Sequence, residues 1–138
     1  MEASMQATID LVTRYYAAFN AGDMTTFERL LTDDVIHDIN QGQREVGKPA
    51  FRQFMQRMNG AYKENLTDIS VLANAEGTRA SAEFVVNGDY LRSDEGLPPA
   101  HGQKYVLPAG AFFEVRDGKV ARITNYYNLQ DWIAQVSK

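Results

Sequence analysis

The chain has 138 residues, of which 44% are hydrophobic and 23% charged, a composition typical of one globular domain with one core. The net charge is −4, which argues against a duplex nucleic-acid binder, because such binding depends on lysine and arginine at the phosphates. Without cysteine the chain has no disulfides and no thiolate chemistry. The sequence starts with no secretion signal and contains no apolar run long enough to span a bilayer, so it predicts a cytoplasmic protein that does not contact membranes.

The N-terminal part of the sequence predicts three helices and one strand. Apolar residues recur every three or four positions from Met5 to Phe19, which indicates a helix over residues 5–20 that ends at Gly22. Asp23 is placed to cap a second, short helix ending near residue 31. A short β-rich run follows at residues 35–39, and Pro49 marks the first turn of a third helix that ends near residue 60.

The remaining sequence predicts a meandering antiparallel sheet. We expect strands at residues 66–73, 79–90, 104–115 and 120–129, a polar connection over 92–103, and a tail helix over 130–136 that Asn128 caps. Asp117-Gly118 is typical of a type I′ hairpin turn. Such a sheet must cover the helices to bury both apolar surfaces. The predicted fold class is therefore α+β, with one domain over residues 1–138 and a curved, mainly antiparallel sheet enclosing a pocket.

The hairpin also predicts which residues share a face of the sheet. The expected pairs are Glu114 with Ala121, Phe112 with Ile123, and Gly110 with Asn125. The expected pocket face carries Phe112, Ile123, Asn125 and Tyr127. The expected outer face carries Phe113, Val115, Val120 and Tyr126. An outer face this apolar predicts a homodimer, since it would otherwise be exposed.

Two segments resemble a known family. The stretches RYYAAFNAGDMTTFERLLTDDVIHD, residues 14–38, and FFEVRDGKVARITNYYNLQDW, residues 112–132, are similar to the ketosteroid isomerase-like and SnoaL-like branch of the nuclear transport factor 2-like superfamily. The resemblance covers essentially the whole chain and implies a cone-shaped fold of three N-terminal helices on a curved sheet. It leaves activity open, because this superfamily holds isomerases, cyclases, dehydratases, epoxide hydrolases and proteins that only bind.

The resemblance implies positions for the isomerase residues. The oxyanion-donating tyrosine of the first helix corresponds to Tyr15, counting back from Asn-Ala-Gly-Asp. An ungapped count places the aspartate base of the first strand at Ile39, with Asp38 one residue earlier. Asp38 therefore serves as the base only if a bulge or gap lies between Gly22 and the strand. The second oxyanion donor of the isomerases, an aspartic acid that its apolar site keeps protonated, falls at Gly110. The missing acid argues against ketosteroid isomerase activity itself.

The candidate catalytic residues are Tyr15, His37 and Asp38. In an ungapped strand His37 faces the pocket and can act as a base near neutral pH, whereas Asp38 points outward and pairs with Arg44 or another cation. Each residue also has a structural interpretation: a hydrogen-bonded core tyrosine, a strand-end histidine and a solvated ion pair. Glu83 points either into the pocket or into a surface salt bridge. The candidate substrate-binding residues are Phe19, Asn40, Phe54, Glu83, Tyr90, His101, Phe112, Ile123, Asn125 and Tyr127.

The sequence thus supports one main function and two alternatives. The main function is acid–base catalysis on an apolar, carbonyl-bearing small molecule, of the isomerase, cyclase or dehydratase type, without cofactor or metal. Tyr15 would polarise an oxygen, His37 or Asp38 would move a proton, and Asn125 would orient the ligand. The alternatives are a binding protein with the same pocket and no turnover, and an interaction domain that dimerises through the outer sheet face.

Overall fold

A computed structural model of the chain describes residues 4–138 as four helices and six strands. The helices are α1 Met5–Ala21, α2 Met24–Arg29, α3 Lys48–Ala61 and α4 Leu129–Val136. The strands are β1 Leu31–Asp38, β2 Arg44–Val46, β3 Tyr62–Ala73, β4 Arg79–Tyr90, β5 Gln103–Arg116 and β6 Lys119–Tyr127.

Local sequence signals set the ends of the helices. The Ser4 side chain caps α1, and Gly22 ends that helix with φ at 70°, which a residue without Cβ adopts readily. Asp23 accepts a hydrogen bond from the Thr26 backbone N–H at 3.1 Å, as the sequence predicts for the cap of α2. Asn128 caps α4 in the same way, through the Asp131 N–H at 3.0 Å.

The six strands form one curved, unclosed sheet in the order β2-β1-β6-β5-β4-β3. All neighbours are antiparallel except β1 and β6, which run parallel. The helices α1, α3 and α4 pack against strands β3, β1 and β5, respectively, and bury one face of the sheet. We call this the inner face. It holds most of the core, and the opposite, outer face is open.

Two strands begin earlier than the sequence predicts. Strand β1 starts at Leu31 instead of residue 35, since α2 already ends at Arg29. Strand β3 starts at Tyr62 instead of residue 66, directly after the last residue of α3. The second difference matters for function, because it adds Tyr62 and Glu64 to the sheet.

The β5–β6 hairpin turns as predicted, with positive φ at both Asp117 and Gly118. The predicted pairing beyond the turn is wrong by one residue. Val115 pairs with Val120, but Glu114 pairs with Arg122, so Ala121 is the extra residue of a β-bulge. The bulge reverses every assignment on β5, because side chains alternate between faces.

The bulge corrects the membership of both sheet faces. Phe113 and Val120 are fully buried in the core and not on the outer face. Phe112 lies on the outer face, where half of its side chain is exposed, and not on the pocket face. The prediction holds on β6 beyond the bulge, where Ile123 is fully buried on the inner face and Tyr126 is exposed on the outer face.

Candidate functional site

An aromatic cluster beneath α1 fills the inner face between β1 and β4. Its tyrosines, Tyr15 and Tyr16, are both buried, and their ring centroids lie 5.4 and 6.0 Å from that of Phe113 on β5. The cluster continues through Phe27, 4.6 Å from Tyr15, to the rings of α3. We call this group the α1 cluster, comprising Tyr15, Tyr16, Phe27, His37, Phe51 and Phe113.

His37 belongs to this cluster because β1 turns it inward. It pairs with Ile123 on β6, and its ring stacks on Phe51 at 4.7 Å and meets the edge of Phe54 at 4.5 Å. Only 3% of the residue is exposed. Burial lowers the pKa of His37 from 6.5 to about 4, against a smaller opposing effect of Asp38, so the imidazole is neutral at physiological pH.

Within residues 4–138, two buried atoms of the α1 cluster have no hydrogen-bond partner: Tyr16 Oη and His37 Nδ1. The nearest carboxylate oxygen to His37 Nδ1 is Glu45 Oε1, 4.0 Å away, which is too far for a hydrogen bond. A buried polar group without a partner destabilises a fold by about 1–3 kcal/mol. Two such atoms on one face therefore suggest a place where a ligand supplies the missing partner.

The phenols of the same cluster remain protonated. Burial raises the pKa of Tyr15 well above its ordinary value, and burial together with the neighbouring Tyr15 does the same for the pKa of Tyr16. Both are therefore hydrogen-bond donors and not bases. Because His37 is neutral, the cluster combines two phenol donors with one uncharged imidazole.

Asp38 does not share this environment. It lies on the outer face, where its carboxylate accepts hydrogen bonds from Arg44 at 2.7 Å and from Arg122 at 3.1 Å. Hydrogen bonding to Arg44, and less strongly to Arg122, lowers the pKa of Asp38. The pairing of β1 with β6 shifts register between Leu31 and Ile36, but at the end of β1 His37 points inward and Asp38 outward, as the ungapped interpretation predicts. The geometry gives Asp38 no access to the inner face.

The remaining candidate residues separate into three locations. Ile123, Asn125 and Tyr127 alternate along the inner face of β6. Phe19 packs at the edge of the core, and Phe54 contacts His37. Glu83 is exposed on the outer face, opposite Gly110, which excludes its pocket-facing alternative.

Three candidates lie at the ends of strands. Asn40 sits in the turn after β1, and His101 is exposed in the connection between β4 and β5. Tyr90 is fully buried at the end of β4. Its hydroxyl donates to Pro98 O at 2.6 Å and accepts from the Asp94 N–H at 3.0 Å, which fastens this connection to the sheet.

A second polar group lies on the inner face, and its central residues, Glu64 and Tyr105, are not among the predicted site residues. Glu64 on β3, Gly88 on β4 and Tyr105 on β5 form one row across three strands. Because Gly88 has no side chain, the Tyr105 ring lies flat over it, and its hydroxyl donates to Glu64 Oε2 at 2.5 Å. Trp132 of α4 covers the row, with its ring centroid 5.9 Å from that of Tyr105.

We call this group the α4 cluster, comprising Tyr62, Glu64, Tyr90, Tyr105 and Trp132. Burial raises the pKa of Glu64, and the hydrogen bond from Tyr105 opposes this only in part. Tyr127 on β6 faces the same region, since burial and, to a smaller extent, Glu64 and Asp94 raise the pKa of its phenol. The α4 cluster is therefore acidic and rich in aromatic rings.

One sequence signal identifies Glu64 as an inner-face residue. The segment Tyr62-Lys63-Glu64-Asn65-Leu66 alternates between inner and outer positions, with a glutamate between two apolar inner residues. A strand predicted to begin only at residue 66 misses this signal. Tyr105 belongs to a clear alternation along β5, but sequence alone does not place its hydroxyl beside Glu64.

Two surface depressions are present, one on the outer face and one that borders the α1 cluster. A groove of about 380 Å³ on the outer face runs between Leu72, Phe112 and Tyr126. A smaller cleft of about 110 Å³ separates α2 from α3, with Phe27 and Phe51 at its floor. In the described part of the chain, no group of three acidic or histidine side chains could hold a metal ion, and no helix is long and apolar enough to cross a membrane.

Comparisons with known proteins agree with this geometry. The SnoaL-like domain family matches residues 12–123. A candidate polyketide cyclase from Pseudomonas putida KT2440 is 63% identical, with a TM-score of 0.92 over 94% of this chain and 97% of the other. A candidate polyketide cyclase from Xanthomonas campestris pv. campestris is 60% identical, with a TM-score of 0.92 over 96% and 98%.

A more distant structure shares the fold alone. It is an NTF2-like protein from Burkholderia xenovorans LB400, 16% identical, with a TM-score of 0.76 over 96% of this chain and 98% of the other. No curated protein matches the chain significantly.

Proposed function

Because this chain belongs to the SnoaL-like domain family, we propose that it is an acid–base enzyme acting on an apolar, carbonyl-bearing small molecule bound at the α1 cluster. The observation that carries this proposal is the pair of buried, unpartnered atoms, Tyr16 Oη and His37 Nδ1, on the inner face. An oxygen of the ligand would accept a hydrogen bond from Tyr16 Oη, and a polar hydrogen of the ligand would be donated to His37 Nδ1. The two structures that are 63% and 60% identical to this chain are candidate polyketide cyclases. The substrates of such enzymes would carry carbonyl groups on an apolar skeleton.

The chemistry follows from the charge state of each group. A neutral imidazole has one nitrogen free to accept a proton from the carbon next to a carbonyl. As that proton moves to His37, the electron pair shifts to the carbonyl oxygen, and the Tyr15 or Tyr16 phenol stabilises the developing negative charge by donating a hydrogen bond. Return of the proton to another carbon of a conjugated enolate gives isomerisation. Cyclisation requires the enolate carbon to attack a second carbonyl carbon of the same molecule, whose oxygen then takes the proton from His37. Loss of water requires a hydroxyl group on the carbon next to the enolate, which leaves with the proton from His37 as the carbon–carbon double bond forms. Asn125, two residues beyond Ile123 on β6, would orient the substrate.

The activity can be tested without the natural substrate. We would follow hydrogen–deuterium exchange next to the carbonyl of 2-tetralone, an apolar bicyclic ketone, by NMR in deuterated buffer. The wild-type chain should accelerate exchange, and His37→Gln should lose about 100-fold or more of that acceleration, the usual contribution of a general base. Asp38→Asn is the matched control, because its carboxylate is on the outer face.

The outcomes separate catalysis from binding. Exchange at the same rate in His37→Gln and wild type contradicts the proposed base. Binding of 2-tetralone without any acceleration supports the alternative, a binding protein that uses the same cluster. If 2-tetralone neither binds nor exchanges faster, the α1 cluster is only a packed core and the proposal is wrong.

We also propose a homodimer through the outer sheet face. Leu72, Phe112 and Tyr126 are about half exposed or more around the 380 Å³ groove, and the rings of Phe112 and Tyr126 lie 5.6 Å apart. An apolar patch of this kind favours a second copy related by a two-fold axis. Phe112→Lys should give a monomer by light scattering. Leu91→Lys, which adds the same charge at an exposed apolar residue outside the sheet, should remain dimeric.

A further inference from the structure

Glu64 differs from the carboxylates that form salt bridges with arginine or lysine in this structure. Arg44, Arg52, Lys104 and Arg116 neutralise aspartates or glutamates at the surface. Within residues 4–138, Glu64 forms no salt bridge, and its one side-chain hydrogen bond is with the neutral Tyr105 phenol. A partly buried carboxylate that lacks a cation is less favourable than a fully hydrated one unless it is protonated or a cation binds to it.

The surroundings of Glu64 suit a cation. The rings of Tyr62 and Trp132 lie 6.0 Å apart, and Tyr90 stacks on Tyr62 at 5.4 Å, so an aromatic group lies beside the row of Glu64 and Tyr105. Aromatic faces attract positive charge through their quadrupole. A second carboxylate, Asp94, accepts a hydrogen bond from Tyr62 Oη at 3.0 Å and forms no salt bridge within the described residues.

The site is open at one side. Tyr90, Tyr105 and Trp132 are buried, but Glu64 and Tyr62 are only half-buried, and 38% of Tyr127 is exposed. A ligand can therefore approach Glu64 past Tyr62 and Tyr127 while the other rings remain packed. The net charge of −4 favours cations at long range.

We propose that the α4 cluster binds the protonated amine of a small organic molecule, with Glu64 as the counter-ion and the Tyr62 and Tyr127 rings as cation–π contacts. This site is separate from the α1 cluster. The two clusters share no residue and lie toward opposite ends of β5, at residues 105 and 113, although Asn125 and Tyr127 bring the two sites within two positions of each other on β6. The proposal therefore does not depend on the function assigned to His37.

Binding of the amine is coupled to the release of a proton from Glu64. Glu64 must be ionised to pair with an ammonium group, so a Glu64 that starts protonated releases one proton to solvent when the amine binds. The other titratable groups that face it are the phenols of Tyr62, Tyr105 and Tyr127, which stay neutral, and the carboxylate of Asp94. Affinity should therefore rise with pH until Glu64 is ionised in the free chain, and level off above that point.

Trp132 is the only tryptophan, so its fluorescence reports on this site alone. Benzylamine is the probe, and benzyl alcohol is its neutral counterpart of nearly the same size. We expect the wild-type chain to bind benzylamine at least about tenfold more tightly than benzyl alcohol. Glu64→Gln should lose this preference. Glu83→Gln, which removes the same charge from the outer face, should keep it.

Tyr105→Phe tests the positioning role of the phenol. The Tyr105 hydrogen bond holds the pKa of Glu64 lower than burial alone would, so its removal should shift the rise in benzylamine affinity to higher pH without abolishing binding. Calorimetry of the wild-type chain in two buffers with different ionisation enthalpies measures the released proton directly and needs no variant. Equal affinity for the amine and the alcohol, no binding of either, retention of the preference in Glu64→Gln, or affinity independent of pH would each overturn the proposal.

Discussion

His37 should make the stability of this chain depend on pH in a defined window. Its pKa is about 4 in the folded chain, below its ordinary value of 6.5. Between these values the unfolded chain binds a proton that the folded chain does not, so the free energy of unfolding falls as pH is lowered from 6.5 to 4 and is constant with respect to His37 above 6.5. Each pH unit in this window is worth about 1.4 kcal/mol, which gives a loss of about 3 kcal/mol.

Urea unfolding of wild type and His37→Gln, in steps from about pH 7 to about pH 4, measures this loss. The difference between the two curves isolates His37, because the carboxylates titrate in both proteins. His101→Gln is the control, since His101 is exposed. Parallel curves for wild type and His37→Gln would contradict the lowered pKa, and would mean that Glu45, with Oε1 4.0 Å from Nδ1, compensates the charge on protonated His37.

Two further predictions concern single atoms on the inner face. Tyr16→Phe removes an unpartnered hydroxyl and should raise the free energy of unfolding by about 1 kcal/mol. Tyr90→Phe loses two hydrogen bonds and should lower the free energy of unfolding by about 1–2 kcal/mol. Urea unfolding midpoints of the two variants and the wild type measure both changes. Gly88→Ala places a Cβ in overlap with the Tyr105 ring and should lower stability by about 1–3 kcal/mol, as thermal unfolding would show. Gly110→Ala, with ordinary contacts on the outer face, should change it by less than about 1 kcal/mol.

The elements that the sequence predicts well depend on local chemistry. Asp23 and Asn128 cap α2 and α4, because their side chains satisfy backbone N–H groups only three residues away. Asp117-Gly118 makes the predicted turn, because both residues tolerate positive φ. His37 faces inward and Asp38 outward as in one of the two alternatives, since the alternation of a strand is also local.

The errors come from single residues whose effect is not local. Ala121, the extra residue of the β-bulge, is one example. No turn signal in the sequence marks the bulge, yet the bulge moves Phe112 to the outer face and Phe113 into the core. The start of β3 is another. A helix that ends at Ala61 and a strand that begins at Tyr62 leave no loop to mark the boundary, so the sequence pattern does not assign Glu64 to the sheet.

The hydrogen-bond partners of buried polar groups separate structural roles from functional ones on the inner face. Thr8 donates to Gly77 O at 2.6 Å, and Asn20 bonds both the N–H and the carbonyl of Leu66, so each joins α1 to the sheet or to the β3–β4 turn. Their burial is balanced by these bonds within the fold. Tyr16 Oη and His37 Nδ1 have no such bonds. These two atoms are the basis on which we propose the α1 cluster as the ligand site, and the α1 cluster is where a ligand should first be sought.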